Sequence, residues 1–290
     1  MKINKNITKF NKYLRHFDKH GYVLIKNFFT KKDCESAAKW LRRKNQKKLA
    51  KTWTEQEPGV PLAVYFVVHK GNSPISKLAR NKSVLDFASK LVKDEVYIYS
   101  SKVNLKAAWC GAVEYYHQDL VYWRDRGYPR EDMISYMIML DPHKTHNAPL
   151  HVFPGTHKMG FIKHEPFINI NGLAKFMVPT KKLDQLKQKY GLKAINAKPG
   201  DVLFFHMGLV HGSSHNISGD NRMVVLSQIN TKSNIPRDVN KNSKKYNLSR
   251  AKMELEESKR KYNWFKKKYT TQLRSKKLTF SAPIVSEEKN

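Results

Sequence analysis

The 290-residue sequence predicts an all-β core with peripheral helices, arranged as a double-stranded β-helix, or jelly roll. Helical periodicity is concentrated in the N-terminal third, and many short apolar runs separated by turn residues follow it. The 40% hydrophobic content is enough to bury a substantial core. Two facing sheets also leave an open mouth for a small molecule. We expect one such domain over residues 1–240, with N-terminal helices, and a basic, partly helical extension over 241–290.

The N-terminal segment predicts a helix, a strand and a second helix. Residues 7–19 form an amphipathic pattern in which four apolar residues recur at helical spacing: Phe10, Tyr13, Leu14 and Phe17. A buried strand is expected over 22–25. Thr30, with Asp33 three residues later, is typical of a helix N-cap, and this second helix is expected to reach about Lys48.

The rest of the chain predicts a loop, one more helix and then a series of strands. Residues 50–62 contain two prolines and a glycine and are expected to form a loop. A short helix over 84–92 leads into a strand that begins at Glu95 and can extend to Ala108. Beyond it, strands alternate with turn signals such as Pro154-Gly155. The clearest strands are 134–140, 150–153, 202–205 and 223–229.

The net charge of +31 is the most unusual feature of the composition. Basic residues are spread along the chain, and residues 1–50 hold 15 of them against three acidic residues. No zinc-finger spacing, RNA-recognition aromatic motif or leucine-zipper repeat accompanies this charge. We therefore expect mostly solvated lysines rather than a nucleic-acid-binding face. An anionic partner or an acidic substrate is the alternative.

Several absences bear on the location of the protein. No run of 18 or more apolar residues is present, so no membrane span is expected. The first residues lack the apolar stretch and cleavage site of a secretory signal. Cys34 and Cys110 have no metal-ligand spacing and are too few for a disulfide framework, which favours a reducing cytoplasm. The sequence does not indicate an oligomeric state.

Several histidines and one aspartate are the candidate ligands of a metal site. His117 and Asp119 are two residues apart, so on a strand both would project from the same face. His206, His211 and His215 compete for a third ligand position. The first ends an apolar strand and the last precedes a turn, whereas His211 begins a strand beside two small residues that leave room for a metal. We therefore predict that His117, Asp119 and His211 bind mononuclear non-heme Fe(II).

Arg222 opens the predicted strand over 223–229, eleven residues after His211. A buried unpaired arginine is strongly disfavoured, whereas its guanidinium fork can hold a carboxylate with two parallel hydrogen bonds. We expect Arg222 to bind the distal carboxylate of 2-oxoglutarate, with the Ser213 hydroxyl as a second donor. A strand-end arginine that extends to water is the alternative.

Four blocks of this sequence resemble the phytanoyl-CoA dioxygenase family of Fe(II)/2-oxoglutarate oxygenases. They are residues 17–23, 116–120, 148–158 and 199–222, in the same order as in the family. Ser101-Lys102-Val103-Asn104-Leu105-Lys106 and Trp123 are similar to the subgroup that contains ectoine hydroxylase. This resemblance implies a cupin-like jelly roll and roles for Asn104, Lys106 and Trp123 in holding 2-oxoglutarate or shaping its pocket. A strand-face or core role is the alternative for each.

The resemblance implies an enzyme that uses Fe(II), 2-oxoglutarate and O2 to activate a C–H bond of a small-molecule substrate, with release of succinate. Hydroxylation is the expected outcome, and oxidative cyclisation or desaturation is the alternative. Related halogenases have a small residue at the position of Asp119, so this carboxylate favours oxygenation. Residues 124–129 depart from the ectoine enzyme's signature, and ectoine is therefore not assigned. Four residues that flank the metal strands are candidates for substrate contact, with structural roles as alternatives: Tyr115, Arg126, Tyr128 and His151.

Overall fold

The computed structural model describes residues 2–43, 62–66, 68–109, 111, 113–123, 128, 130–131, 133–168 and 174–235. Five helices and twelve strands lie in these ranges. The helices are α1 (Lys2–His20), α2 (Lys31–Arg43), α3 (Pro74–Ala79), α4 (Lys82–Val92) and α5 (Thr180–Tyr190). The strands are β1 (Tyr22–Ile25), β2 (Leu62–Phe66), β3 (Val96–Lys106), β4 (Glu114–His117), β5 (Ile134–Met139), β6 (Leu150–Val152), β7 (Glu165–Ile168), β8 (Ala174–Met177), β9 (Lys193–Ile195), β10 (Val202–His206), β11 (His211–Ser213) and β12 (Arg222–Thr231).

Two antiparallel sheets form the core of the molecule. The larger has the strand order β1-β10-β5-β12-β3-β2, and the smaller has the order β4-β11-β6-β9. Strands that are distant in sequence are neighbours in both sheets, as in a jelly roll. β7 and β8 form a separate hairpin. The predicted all-β core with peripheral helices is therefore confirmed.

The larger sheet is buried on both faces because its side chains alternate between two apolar layers. One layer packs against the helices and includes Tyr136, Phe204 and Val225. The other layer faces the smaller sheet and includes Met137 and Phe205. The space between the two sheets is therefore lined by alternate residues of each strand, and we call it the chamber.

Most predicted elements agree with the structure. The predicted helix over 7–19 lies within α1, and the strand over 22–25 coincides with β1. The second helix begins at Lys31, directly after Thr30, whose hydroxyl accepts a hydrogen bond from the Asp33 backbone N–H. Its predicted end near Lys48 lies outside the described residues. The predicted loop and the extension over 241–290 lie outside the described residues, apart from Leu62, which begins β2. The domain boundary at residue 240 stays a prediction.

None of the helices in the described ranges is long and apolar enough to cross a membrane. The cytoplasmic location stays a prediction.

Candidate metal centre

Three potential metal ligands converge in the chamber. His117 ends β4 and His211 begins β11, and these two residues are direct partners across the smaller sheet. Asp119 begins a 3-10 helix, Asp119–Tyr122, and its Oδ1 lies 3.6 Å from His117 Nε2 and 3.9 Å from His211 Nε2. All three residues are buried. They are the one group of three or more His, Cys, Asp and Glu side chains in the described part of the chain that can hold a metal ion.

Asp119 does not lie on the same strand as His117, in contrast to the prediction. β4 ends at His117, so the two ligands do not share a strand, and Gln118 forms the junction. The fully buried Gln118 side chain donates hydrogen bonds to the carbonyls of Gly160 and Gly208 and accepts one from the Ile162 N–H. These three hydrogen bonds anchor the chain as it leaves the strand, and Asp119 is thereby directed towards the histidines.

Backbone carbonyls orient both imidazoles. His117 Nδ1 lies 2.7 Å from the carbonyl oxygen of Tyr115, and His211 Nδ1 lies 2.9 Å from that of Leu209. A carbonyl oxygen can only accept, so each Nδ1 carries the hydrogen. Each Nε2 is therefore left with a free lone pair directed at its neighbours, which is the arrangement that metal-binding histidines need.

The charges of the three side chains suit a divalent cation. Although burial alone would raise it, the pKa of Asp119 lies well below its usual range because of His117 and His211. Burial alone would lower the pKa of His117, but Asp119 and then Glu114 raise it. Burial, with the neighbouring His117, lowers the pKa of His211. The Ser135 hydroxyl donates to Asp119 Oδ2, which leaves Oδ1 directed at the histidines. The set therefore fits Fe(II).

A second cluster, of buried cations, lies beside the metal ligands. Arg222 and Lys106 are partners across β12 and β3, and both are nearly inaccessible to solvent. Lys106 Nζ donates to Ser213 Oγ and to the Ser214 carbonyl, each at 2.6 Å. Arg222 Nη1 donates to the Ala148 carbonyl at 3.1 Å. Burial lowers the pKa of Arg222 to about 10, and burial together with Arg222 lowers the pKa of Lys106.

Buried polar atoms in this cluster have no partner. Arg222 Nε, Asn104 Oδ1 and both ring nitrogens of His143 make no hydrogen bond. Burial, followed by the charges of Arg222 and Lys106, holds the pKa of His143 well below its usual value. No carboxylate among the described residues lies within 4 Å of either cation. Because unpaired buried charges are costly, the cluster fits the dicarboxylate 2-oxoglutarate.

The other predicted cosubstrate residues divide between this cluster and the core. Ser213, Asn104 and Lys106 belong to the cluster described above. Trp123 lies in the core on the helix side of the larger sheet, with its ring 4.6 Å from that of Tyr99. Its role in shaping the pocket stays a prediction.

The predicted substrate residues lie in different places. Tyr115 is exposed, with its ring 5.2 Å from Phe167 of β7. Tyr128 is half-buried against the core. His151 pairs with Gly212, one residue along from His211, so it projects from the opposite face of the smaller sheet. Arg126 lies outside the described residues. The substrate roles of all four stay predictions.

The two other histidines of this region, His206 and His215, do not lie with the metal ligands. His206 ends β10, and its Nδ1 accepts the Gly208 N–H. His215 is half-buried in the connection between β11 and β12.

Sequence reasoning missed Lys102, Glu114 and His143. Lys102 was detectable, because it has the same alternating spacing in β3 as Asn104 and Lys106. Glu114 and His143 have no such local signal. An irregularity in the pairing of β4 with β11 determines the direction of Glu114, and contacts between distant segments bring His143 to the cluster.

Comparisons with known proteins identify a family and related sequences. A model of the phytanoyl-CoA dioxygenase (PhyH) family matches residues 17–224. The ectoine dioxygenase of Sphingopyxis alaskensis is 29% identical over 212 residues, which cover 70% of this chain and 69% of that protein. The L-proline trans-4-hydroxylase of Streptomyces griseoviridis is 28% identical over 179 residues, covering 58% of this chain and 67% of that protein.

A solved structure has the same fold. The crystal structure of EctD from S. alaskensis with 2-oxoglutarate and 5-hydroxyectoine matches with a TM-score of 0.64 at 28% identity. The match covers 78% of this chain and 77% of that chain.

Proposed function

The chain belongs to the phytanoyl-CoA dioxygenase family, and we propose that it hydroxylates a C–H bond of a small molecule that carries an anionic group. It is a 2-oxoglutarate-dependent non-heme iron dioxygenase. The observation that carries the proposal is the convergence of a buried metal triad with a buried arginine whose Nε has no partner. A purely structural triad would not require an unpaired cation beside it.

The residues of the chain have separate tasks in this reaction. When bound, iron and 2-oxoglutarate supply the activation of O2 and the oxidative decarboxylation that yields succinate. His117, Asp119 and His211 would occupy one side of the iron and leave the other side open. Arg222 and Lys106 would hold the distal carboxylate of 2-oxoglutarate. Apolar side chains keep water away from the ligands, as where the Phe205 ring lies 5.0 Å from that of His211.

The charges of the chamber favour an anionic substrate. Four cations and two carboxylates face it or lie at its edge: Arg222, Lys106, Lys102, Lys175, Asp119 and Glu114. The charges of Fe(II) and of the 2-oxoglutarate dianion cancel each other. The protein groups therefore leave an excess of positive charge in the chamber. Lys102 is half-buried and makes no hydrogen bond or ion pair with any residue that the structure describes. We therefore assign Lys102 as the group that binds a carboxylate or phosphate of the substrate.

The names of the relatives support a substrate of this kind. Ectoine and L-proline are both small molecules with one carboxylate. Neither is assigned as the substrate here, because the identity is below 30% in both comparisons.

A metabolite-library screen tests the proposal. The Fe(II)-loaded protein is incubated with 2-oxoglutarate and each compound, and succinate and the product mass are measured. We expect compound-stimulated succinate release and a product that has gained one oxygen atom, with both lost in His117→Ala. A product that has lost two hydrogen atoms would favour cyclisation or desaturation. Failure to bind iron anaerobically would refute the assignment.

A further inference from the structure

A cavity outside the metal site lies where the edges of the two sheets meet. β1 is an edge strand of the larger sheet and β9 is an edge strand of the smaller one, so no strand in the described ranges pairs with their outer sides. α1 packs against β1 and forms the third wall. The cavity has a volume of about 260 Å³, just below the range of roughly 300–1,000 Å³ that is usual for small-molecule sites. It therefore suits a small ligand.

The inner part of this cavity is apolar and aromatic. Tyr22 and Leu24 of β1 and Ile195 of β9 line it, and all three pack in the apolar layer between the sheets. We call these three residues the floor. The imidazole of His16 in α1 lies 5.2 Å from the Tyr22 ring and nearly perpendicular to it. An aromatic floor favours a ligand with a planar ring, because rings pack well on one another face to face or edge to face.

The outer part of the cavity, which we call the rim, carries three lysines. Lys12 of α1, Lys193 of β9 and Lys26, which follows β1, are exposed there. None of them makes an ion pair in the described part of the chain, and no described residue that lines the cavity is acidic. Lys193 reaches across the gap, since its Nζ lies 6.0 Å from the centroid of the Tyr22 ring. This distance is at the outer limit of about 6 Å for a cation–π contact, so Lys193 can bind an anion instead.

The half-buried His16 reports the electrostatic surroundings of the cavity. Burial is the largest cause that lowers the pKa of this imidazole, and the charges of His20, Lys193 and Lys19 lower the pKa further. Each charged group that shifts this pKa is therefore a cation. Lysines are spread over the whole chain, but here they surround a cavity with an aromatic floor. Charge complementarity then requires an anionic ligand.

We propose that this cavity is a second binding site, which takes a small organic phosphate with its planar ring on the floor and its phosphate among the three lysines of the rim. A phosphate monoester carries close to two negative charges at neutral pH and offers three acceptor oxygens, which matches several lysines at once. A carboxylate has one charge and two oxygens and matches three lysines less well. The class includes aryl phosphates and pyrimidine nucleoside monophosphates, each with a single ring.

Calorimetric titration of the full chain in the presence of EDTA tests the site without metal or cosubstrate. The probes are uridine monophosphate and its two parts, uridine and inorganic phosphate. Because the floor and the rim both contribute, uridine monophosphate is expected to bind at least about tenfold more tightly than either part. If inorganic phosphate binds as tightly as uridine monophosphate, or if uridine monophosphate does not bind, the proposal is overturned.

Variants of the rim and of the floor assign the binding to this cavity. Lys193→Met removes one cation and is expected to weaken binding at least about fivefold, whereas Lys187→Met, at an exposed position of α5, is the matched control and should change it less than about twofold. Leu24→Trp narrows the cavity without a change of charge and is expected to weaken binding at least about tenfold. If either cavity variant binds as tightly as the wild type, or if both lysine variants weaken binding equally, the proposal is overturned.

Two further comparisons exclude other occupants and other places. Arg222→Met is expected to bind uridine monophosphate as the wild type does, and an excess of 2-oxoglutarate is expected not to compete. Loss of binding in either case would place the phosphate in the chamber and overturn the proposal. An acidic peptide that displaces uridine monophosphate and binds more tightly would assign the rim to a protein partner instead. None of these measurements requires turnover, so their outcome is independent of the oxygenase assignment.

Discussion

Replacing Arg222 with methionine is expected to stabilise the protein in the absence of metal and cosubstrate, and to remove its stabilisation by 2-oxoglutarate. Arg222 is 3% exposed, and its Nε has no partner. An arginine kept for folding would have a carboxylate beside it. An arginine kept for a ligand lowers stability until that ligand binds.

The magnitude follows from the pKa of Arg222. Burial lowers that pKa to about 10, which corresponds to about 3 kcal/mol against the charged form in the folded state at every pH below this value. The hydrogen bond from Nη1 to the Ala148 carbonyl offsets about 1 kcal/mol of this cost. Arg222→Met is therefore expected to raise the free energy of unfolding by about 2 kcal/mol. In the wild type, 2-oxoglutarate at a hundred times its Kd adds about 2.7 kcal/mol.

Urea unfolding at neutral pH measures both quantities. Wild type and Arg222→Met are compared first with EDTA, and then with Ni(II) and increasing 2-oxoglutarate. Arg222→Lys keeps a charge without the fork and is expected to remain destabilised and to bind 2-oxoglutarate more weakly. Lys187→Met, at an exposed position of α5, is the control and should change stability by less than about 0.5 kcal/mol. The reasoning is refuted if Arg222→Met is the less stable protein without ligands, or if 2-oxoglutarate stabilises both proteins equally.

Three further predictions concern the support of the site. Gln118→Leu leaves two buried backbone groups, the Gly208 carbonyl and the Ile162 N–H, and the partly buried Gly160 carbonyl without their partner. It is expected to lower the free energy of unfolding by about 3 kcal/mol in urea; a loss below about 1 kcal/mol would contradict the anchoring role of Gln118. In Gly212→Ala the new Cβ would lie 2.8 Å from the backbone carbonyl oxygen of Glu114 and 2.9 Å from the Tyr116 ring, both in β4, so β4 and β11 must separate. Metal titration should show at least about tenfold weaker binding, and unchanged binding would contradict this. Burial lowers the pKa of His206 from 6.5 to about 4, so the stability present above pH 6.5 is lost as the pH falls from 6.5 to 4, by up to about 3 kcal/mol. Urea unfolding at pH 7 and pH 4.5 should show a smaller decrease for His206→Gln than for the wild type, and equal decreases would exclude His206 as a cause.

Local pattern was sufficient to predict which three residues converge at the candidate metal centre, and it singled out Arg222, which the structure buries beside them. His211 was favoured over His206 because small residues follow His211, whereas His206 ends an apolar strand. Arg222 was identified as buried because an apolar strand begins with it. Both inferences use only the period of a strand and the types of the neighbouring residues. Contacts between distant segments did not change either outcome.

Other features depend on contacts between distant segments and could not be predicted. His117 and Asp119 were expected on one strand, but the strand ends between them because Gln118 hydrogen-bonds to distant backbone groups. Glu114 was missed because a bulge breaks the period of two, and no residue in β4 signals a bulge. His143 was missed because only the fold brings it close to Arg222.

The backbone acceptors of His117 and His211 also bear on how this protein family can diversify. In many metal sites a carboxylate side chain orients the histidine, and a single substitution can remove it. Here the acceptors are the carbonyl oxygens of Tyr115 and Leu209, which every residue type would supply. Substitutions at these positions therefore preserve the orientation of the imidazoles. Residues that line the chamber can then vary under selection for new substrates while the metal ligands keep their geometry.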